Sequence, residues 1–435
     1  MRIVKTENGL IEGLRGNNPL YTVFKGIPYA KAPIGDLRWK APQPHENWDG
    51  VYKAYEYQTI SVQEIRKDEF LYGKEFFEYT EQRGEDCLYL NVFTPAKSNS
   101  ERLPVLFWVH GGGFFGGSGS EPEFDGEGFC KRGVILVTMN YRLGPLGFMA
   151  HPELSKESES GTSGNYGILD QIAALKWVRR NIAAFGGDPD NITIDGQSAG
   201  GMSIQVLCCS PLCRGDFRRA IIQSGISPIM RTEKSVEALK SEREKIGLAL
   251  MRKLGCRNIE EMRRIPAEYF ARGMSELSGE MVFSPYADGY VLPQSTDNSV
   301  LDNTFADVDL MVGCTTTESL SKDDSPVAVA LRTGYLSFLE EMFKHGRKVY
   351  TYLFSRNIPG ENGGAFHAGE LWYQFSTIDR CWRPMIGKDY DVSNIMADYW
   401  AEFARCGNPT EEWIPADNNH RVKMEIGENN GMIAI

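Results

Sequence analysis

The segment Gly-Gln-Ser-Ala-Gly at 196–200 constrains the fold of this 435-residue chain more than any other feature. It follows an apolar run at 191–194 and leads into a helix-like stretch at 199–207. A serine between two glycines, placed between a strand and a helix, is typical of a sharp turn that exposes the serine hydroxyl above a sheet. Both glycines are expected because side chains there would collide with the adjoining strand and helix. We therefore predict that Ser198 is a covalent nucleophile.

A second glycine-rich segment follows the apolar run at 104–110, which is predicted to be a buried strand. Gly111, Gly112 and Gly113 are consecutive there, so backbone N–H groups can approach a substrate oxygen with no Cβ in the way. We predict that the N–H groups of Gly112, Gly113 and Ala199 form an oxyanion hole. A flexible surface loop or a phosphate cradle is the alternative, but no Gly-Lys-Ser or Gly-Lys-Thr follows to favour a nucleotide loop.

The general base that a serine nucleophile requires must come from six histidines. His367 lies in a glycine-rich loop after the strand-like run at 349–354, where it can reach over the nucleophile. His151 precedes the serine, which is the wrong order for this arrangement, and His110 belongs to the first glycine loop, which it is expected to orient. The remaining three occupy a proline-rich turn, a predicted helix end and a polar tail: His45, His345 and His420. His367 is therefore the predicted base, with a helix-capping role as the alternative.

The acid that orients the base is expected between Ser198 and His367, at the end of a strand. Glu318 follows the strand-like run at 308–313 and is the predicted acid. The competing carboxylates, which follow strands less directly, are Asp288, Asp323 and Asp324.

Strand-like and helix-like segments alternate from residue 104 onward, which predicts a mostly parallel, twisted sheet with helices on both faces. The strand candidates are 104–110, 134–140, 191–195, 219–223, 308–313 and 348–354. Residues 1–60 indicate a small N-terminal antiparallel sheet, 170–185 a clear helix with Leu175, Val178 and Ile182 on one face, and 234–277 a helical excursion. The predicted fold class is α/β, and we expect residues 1–435 to form one domain.

Composition limits the possible partners. The chain carries 47 Lys and Arg against 58 Asp and Glu, a net charge of -11, which argues against a nucleic-acid partner. No apolar run approaches the roughly 18 residues of a membrane span, so no membrane partner is expected.

Several motifs taken together resemble the type-B carboxylesterases, the cholinesterase-like group of the α/β-hydrolase superfamily, and most closely their bacterial para-nitrobenzyl-esterase-like branch. The likeness extends over most of the chain. The matching segments are 24–30 with 37–39, 85–92, 164–167 through 170–171, 185–189, 223–225, 366–367 and 370–371. By this resemblance Ser198, Glu318 and His367 fall on the family's triad, and Gly112, Gly113 and Ala199 on its oxyanion hole.

The resemblance implies an α/β-hydrolase fold and hydrolysis of small carboxylic esters without a metal or organic cofactor. Aromatic residues beside the predicted catalytic loops, Phe114, Phe115 and Trp372, favour apolar acyl or aryl esters if they line a pocket, and they are equally compatible with packing. A hydroxycinnamoyl esterase is a narrower alternative. The alternative from another class is a non-catalytic cholinesterase-like interaction protein.

Three departures from the family pattern carry consequences. Gln197 precedes the nucleophile where many relatives have glutamate, and residues 57–86 contain no tryptophan, which disfavours choline esters. The segment between Glu318 and His367 is short, with a reduced helical insertion around 320–347, so a wider site or a covering partner chain is expected. We expect a monomer or a homodimer.

The chain has nine cysteines, and none lies upstream of Cys87. Relatives often place one end of a disulfide loop at the position of Cys87, and that bridge cannot form here. This pattern and the absence of an apolar signal segment at the N-terminus predict a reducing compartment, the cytoplasm.

Overall fold

The computed structural model describes residues 2–18, 20–64, 73, 75–76, 81–226, 234–271, 283–318, 326–361 and 363–435. The strands in chain order are β1 (Ile3–Thr6), β2 (Gly9–Glu12), β3 (Leu14–Arg15), β4 (Thr22–Pro28), β5 (Val51–Lys53), β6 (Ile60–Ser61), β7 (Arg83–Gly84), β8 (Tyr89–Thr94), β9 (Leu103–Val109), β10 (Ile135–Met139), β11 (Gly187–Gln197), β12 (Arg219–Gln223), β13 (Asp309–Thr315), β14 (Tyr350–Phe354), β15 (Val422–Ile426) and β16 (Gly431–Ala434). The α-helices are α1 (Glu127–Lys131), α2 (Gly144–Phe148), α3 (Pro152–Glu157), α4 (Tyr166–Asn181), α5 (Ala199–Cys209), α6 (Val236–Lys253), α7 (Ile259–Arg263), α8 (Thr296–Leu301), α9 (Pro326–Lys344), α10 (Leu371–Gln374) and α11 (Gly387–Cys406).

One large sheet organises the chain, with the strand order β16-β15-β14-β13-β12-β11-β9-β10-β8-β4-β3. Every neighbouring pair from β10 across to β15 is parallel, whereas the pairs at the two edges are antiparallel. The predicted mostly parallel sheet is therefore confirmed. All six strand candidates are strands, and the largest difference is at β11, which begins at Gly187.

The small N-terminal sheet differs in part from the prediction. It has the order β1-β2-β5, and β1 pairs with β2 in the expected antiparallel sense. However, β5 pairs with β2 in parallel, and β3 and β4 join the large sheet instead. The long connection between β2 and β5 gives the chain room to return in the same direction, which a tight hairpin would not allow.

Alternate residues of the central strands pack on opposite faces of the large sheet. In β9, Val105, Phe107 and Val109 belong to one core cluster, and Leu106 and Trp108 belong to another. This alternation is the two-residue period of a strand that is buried on both faces. Helices therefore cover both faces, as the α/β pattern predicts.

Each face of the sheet is covered by a long helix. On one face lies α4, which a 3-10 turn (Ile182–Phe185) continues; Leu175, Val178 and Ile182 are fully buried there, as predicted. On the other face, α11 buries a stripe that includes Val392, Met396 and Trp400 at helical spacing. It ends at Gly407, whose φ of 81° suits glycine.

The two segments predicted to be helical both contain helices where the structure describes them. The first contains α6 and α7, and the part at 272–277 lies outside the described residues. The second, around 320–347, contains α9, and residues 319–325 lie outside the described residues. None of the helices in the described ranges combines the length and apolar character that a membrane span requires.

Candidate active site

Ser198 occupies the turn between β11 and α5 in a strained conformation, with φ 58° and ψ −122°. Non-glycine residues rarely adopt positive φ, and such strain costs on the order of 1–3 kcal/mol. The Ser198 N–H donates to the Gln223 carbonyl oxygen of the neighbouring strand at 2.9 Å, which ties the turn to the sheet. Ser198 is half-buried.

The glycines on either side of Ser198 are required for close packing. A Cβ on Gly200 would overlap the Val109 carbonyl oxygen of β9, and a Cβ on Gly196 would lie 2.6 Å from the Gly200 backbone. The expectation that side chains would collide at these two positions is confirmed. The turn can therefore bring α5 down onto β9 only with glycine at both places.

Glu318 and His367 meet directly, although 49 positions separate them in the chain. His367 Nδ1 lies 2.5 Å from Glu318 Oε2, so the imidazole donates Nδ1–H to the carboxylate. The other oxygen, Oε1, accepts hydrogen bonds from the Ser224 hydroxyl at 2.7 Å and the Thr315 N–H at 2.8 Å. Both carboxylate oxygens are thereby held in a fixed orientation.

The Glu318 side chain is fully buried, yet it is held in the ionised state. Burial raises the pKa of its carboxyl, but the positive charge of His367 and the hydrogen bonds from His367, Ser224 and the Thr315 N–H outweigh burial. The net result is a pKa below the usual value. A buried carboxylate anion fixes the imidazole tautomer with its proton on Nδ1, which leaves Nε2 able to accept a proton.

The loops that carry the acid and the base are joined by backbone contacts. The Thr317 N–H donates to the Ala365 carbonyl at 3.0 Å, and Thr317 forms an isolated parallel bridge with Phe366. Thr317 directly precedes Glu318, and Ala365 and Phe366 directly precede His367. These contacts therefore bring Glu318 and His367 together although the segment that connects them is short.

His367 also reaches the turn that holds the serine. Its Nε2 atom lies 3.3 Å from the side-chain Nε2 of Gln197, the residue that precedes Ser198. With Nδ1–H donated to Glu318, Nε2 carries a lone pair that the Gln197 amide can meet as donor. The structure therefore brings Ser198, Glu318 and His367 to one place, at the carboxyl ends of neighbouring parallel strands.

The predicted oxyanion loop follows β9 directly. Gly112 and Gly113 have φ values of 98° and 66°, and the Gly112 carbonyl accepts the N–H of Gly116 at 3.0 Å, which closes the loop. Ala199 is the first residue of α5, where helix geometry leaves N–H groups without an internal acceptor. No acceptor among the described residues takes a hydrogen bond from the N–H of Gly112, Gly113 or Ala199, so all three remain available to a substrate oxygen.

His110 supports this loop. Its ring is fully buried, stacks on Tyr141 with 4.4 Å between centroids, and places Nδ1 2.9 Å from the Gly111 carbonyl. Burial lowers the pKa of His110 to about 4, so the ring is neutral near pH 7. These contacts match the predicted orienting role.

The competing acid, Asp288, has a structural role elsewhere. It accepts hydrogen bonds from the N–H groups of Tyr290 and Leu292, both at 3.0 Å, and from the Thr162 hydroxyl. The other two competitors, Asp323 and Asp324, lie outside the described residues.

The three aromatic residues predicted to line a pocket have different surroundings. Phe114 is fully buried and packs edge-on against Phe148 at 5.2 Å, which favours the packing alternative for this residue. Its positive φ of 68° turns the ring inward, a reversal that the sequence does not reveal. Trp372 is 3% exposed and stacks on Phe76 at 6.2 Å. Phe115 is half-buried, with its ring against Gly113.

Two groups that contact Glu318 and His367 have no role that the sequence alone predicts. Ser224 lies in the Gln-Ser-Gly motif at 223–225, and its hydroxyl holds Glu318. Gln197 departs from the family pattern, and its contact with His367 depends on the fold. Motif position alone could have singled out Ser224, since it follows β12 at the same edge of the sheet.

The fold and this arrangement of side chains define an α/β-hydrolase. A profile of the carboxylesterase family matches residues 1–326 and 327–434, and the two segments meet inside the shortened insertion. The chain belongs to this family, as the sequence motifs predicted, and it is a carboxylic ester hydrolase.

Individual relatives cover most of the chain. Para-nitrobenzyl esterase of Bacillus subtilis is 35% identical over 98% of this chain and 94% of its own length. Fumonisin B1 esterase of Sphingopyxis macrogoltabida is 38% identical over 78% of this chain and 60% of its own length. Phenmedipham hydrolase of Pseudarthrobacter oxydans is 32% identical over 90% of this chain and 88% of its own. A solved structure of a PNB esterase superposes with a TM-score of 0.87 at 32% identity, covering 100% of this chain and 97% of that one.

Proposed function

We propose that this enzyme hydrolyses esters with apolar acyl or aryl groups through an acyl-enzyme on Ser198, with His367 as the base and Glu318 as the acid that orients it. The observation that carries the proposal is the 2.5 Å contact between His367 Nδ1 and Glu318, formed beside the strained turn of Ser198. An oriented imidazole next to an accessible serine hydroxyl is the arrangement that acyl transfer requires.

The reaction follows from these positions. His367 Nε2 takes the hydroxyl proton of Ser198 as the serine oxygen attacks the ester carbonyl. The N–H groups of Gly112, Gly113 and Ala199 donate to the resulting oxyanion. The tetrahedral intermediate collapses, and the alcohol leaves with the proton from His367. Water then attacks the acyl-enzyme as His367 takes its proton, and the proton returns to the Ser198 oxygen as the carboxylic acid product leaves.

The substrate class rests on the surroundings of the site and on the relatives. Phe115 presents a half-buried ring beside Gly113, which suits an apolar or aryl group near the reacting carbonyl. Relatives that are named for para-nitrobenzyl and phenmedipham hydrolysis support small aromatic substrates. Trp372 is a less direct candidate, because its ring is almost fully covered.

We further infer that residues 1–435 act as one domain, as a monomer or a homodimer in the cytoplasm. None of the nine cysteines, all of which lie in described residues, forms a disulfide, which supports a reducing compartment. Light scattering after size-exclusion chromatography distinguishes monomer from dimer.

Labelling with a fluorophosphonate, which reacts with an activated serine, tests the assignment of the nucleophile. We expect a single adduct on the peptide that contains Ser198, and none in the Ser198→Ala variant. An unlabelled, folded wild-type protein would instead indicate a non-catalytic member of the fold. A panel of p-nitrophenyl, alkyl, p-nitrobenzyl and hydroxycinnamoyl esters then ranks the substrates, and preference for hydroxycinnamoyl esters would favour the narrower activity.

A further inference from the structure

Arg383 lies in a completely buried ion pair beside the loop that carries His367. The side chains of Arg383 and Glu75 are both 0% exposed. Arg383 Nε donates to both carboxylate oxygens of Glu75, at 2.9 and 3.0 Å, and the Trp382 indole N–H donates to the same carboxylate at 2.9 Å. A buried charged pair of this kind is costly to form unless its geometry is close to ideal, so it calls for an explanation.

One terminal nitrogen of the guanidinium, Nη1, and the face of the group are directed at the histidine loop. Arg383 Nη1 donates to the carbonyl oxygens of Pro359 at 3.1 Å and Glu361 at 3.0 Å. The guanidinium carbon lies 4.9 Å from the centre of the Phe366 ring, the residue directly before His367. Arg383 therefore holds the loop at its beginning and at its end.

The loop encloses Arg383 closely. Gly364 N–H donates to the Ile358 carbonyl at 3.2 Å, which closes the chain around the guanidinium. Gly360 has a φ of 96°, and a Cβ there would lie 3.1 Å from Pro384 and 3.6 Å from Arg383 Nη1. A side chain at 360 would be strained by this φ and would crowd Pro384, the residue after Arg383.

We propose that Arg383, neutralised by Glu75, is a positioning residue that holds His367 at its hydrogen-bonding distance from Glu318. The proposal deepens the function proposed above and rests on His367 as its base. Among the described residues, the backbone contacts that join the histidine loop to the acid loop next to the site are made by Thr317. Arg383 supplies three further points of attachment: two carbonyl oxygens and one aromatic ring.

Arginine is the side chain that can make all these contacts at once. Its planar fork donates in several fixed directions, and its face stacks on an aromatic ring, whereas lysine offers a single compact charge. Arg383→Lys preserves the charge opposite Glu75 but cannot reach the carboxylate and both carbonyls together. It should therefore loosen the loop without leaving Glu75 as an unpaired buried charge.

The chain offers a matched control at the amino ends of the strands, opposite the ends that carry the candidate site. Arg219, at the start of β12, is 4% exposed, forms an ion pair with Asp309 at 3.2 Å and donates to the Ala404 carbonyl at 3.2 Å. Arg219→Lys makes the same substitution at another almost fully buried arginine that bonds a carboxylate and a backbone carbonyl, although Asp309 itself is half exposed. Thermal unfolding of the two variants shows how much stability each loses.

Two readouts report on His367 itself: the downfield NMR signal of its Nδ1–H in the hydrogen bond to Glu318, and kcat and KM for p-nitrophenyl acetate. In Arg383→Lys we expect the signal to broaden or shift and kcat to fall by about tenfold to a hundredfold, with KM changed less than about threefold. Arg219→Lys should keep the signal, kcat and KM of the wild type. If Arg383→Lys does not fold, Glu75→Gln is measured instead. We expect the same changes in the NMR signal and in kcat, but smaller ones.

A folded Arg383→Lys with wild-type signal and kcat would overturn the proposal, as would equal losses in both lysine variants. Glu75→Gln with an unchanged signal would do the same. The NMR comparison is independent of catalysis. A wild-type protein that gives the downfield signal but no fluorophosphonate adduct would contradict the proposed function. The NMR comparison of the variants would still test the role of Arg383.

Discussion

At the scale of single residues, the contact between Gln197 and His367 sets this site apart from a simple triad. The Gln197 side-chain nitrogen lies 3.3 Å from His367 Nε2, the atom that we propose accepts the Ser198 proton. A neutral amide donor at this distance pairs with the unprotonated ring and cannot neutralise a positive one. The amide can therefore hold the ring in place without adding a charge beside it.

Replacing Gln197 with glutamate should move the pH dependence of the reaction. In the wild type we expect kcat/KM to rise as pH increases from about 5 to 8, since the base must be neutral. A carboxylate next to Nε2 stabilises the protonated ring, so in Gln197→Glu the rise should occur at higher pH. Measured kcat/KM for p-nitrophenyl acetate from pH 5 to 9 tests this. Superimposable normalised profiles would contradict it.

Removal of the serine hydroxyl should abolish most of the turnover without affecting the fold. We expect Ser198→Ala to lower kcat on p-nitrophenyl acetate by about 10³-fold or more, as for other triads. It should leave thermal stability equal or higher, because the variant keeps the backbone of the turn. Ser160→Ala, a change of the same size at an exposed turn, is the control and should retain wild-type kcat. Near wild-type turnover in folded Ser198→Ala would place the nucleophile elsewhere.

At the scale of elements, the sequence was most informative where packing imposes a regular pattern. Buried strands such as β9 and β13 read as apolar runs because both faces of the sheet are covered. The elbow and the glycine loop were recognisable because backbone geometry restricts those positions to glycine. With the expected chain order of the three residues, these local constraints predict Ser198, Glu318 and His367 as the candidate triad from the sequence alone.

Features that depend on distant partners could not be read from the sequence. Phe114 adjoins the catalytic loop in the chain, but its positive φ sends the ring into the core. Arg383 and Glu75 are 308 positions apart, and no periodicity connects them. The parallel partner of β2 likewise depends on where a long connection returns. Such pairings are decided by global packing, which no local pattern encodes.

The close packing of α5 on β9 makes Gly200 an element-scale prediction. A Cβ at 200 would overlap the Val109 carbonyl oxygen, a backbone atom that cannot rotate away. We expect Gly200→Ala to destabilise the protein by about 3 kcal/mol or more and to displace Ser198. Thermal unfolding and fluorophosphonate labelling measure the two effects. Gly387→Ala, where a Cβ would meet nothing within 4 Å, is the control and should be neutral or slightly stabilising. Equal stability of the two variants would refute the packing argument.

At the scale of the whole molecule, the acidic chain holds several carboxyl groups away from water, and they respond to pH in opposite senses. Glu318 stays charged because His367 and its other donors outweigh burial, so its contribution to stability is lost as pH falls through its lowered pKa. Burial is the main reason that the pKa of the Glu370 carboxyl lies well above its usual value, and the negative charge of Glu318 adds to it. Its contribution to stability therefore falls as pH rises, the opposite sense to Glu318.

Asp195 allows the second kind of carboxyl to be tested by a global measurement. Burial raises the pKa of Asp195 to about 8, although the Gln223 and Gln374 amides both donate to it at 2.7 Å. Between about pH 4 and 8 the folded protein therefore keeps a proton that the unfolded chain releases, so stability falls as pH rises, by about 1.4 kcal/mol per pH unit. Asp195→Asn removes this titration. We expect the Tm of the variant relative to the wild type to rise steadily from pH 5 to 8, whereas the exposed control Asp36→Asn should show a constant difference. A constant difference for Asp195→Asn as well would mean that Asp195 is ionised in the folded protein throughout this range.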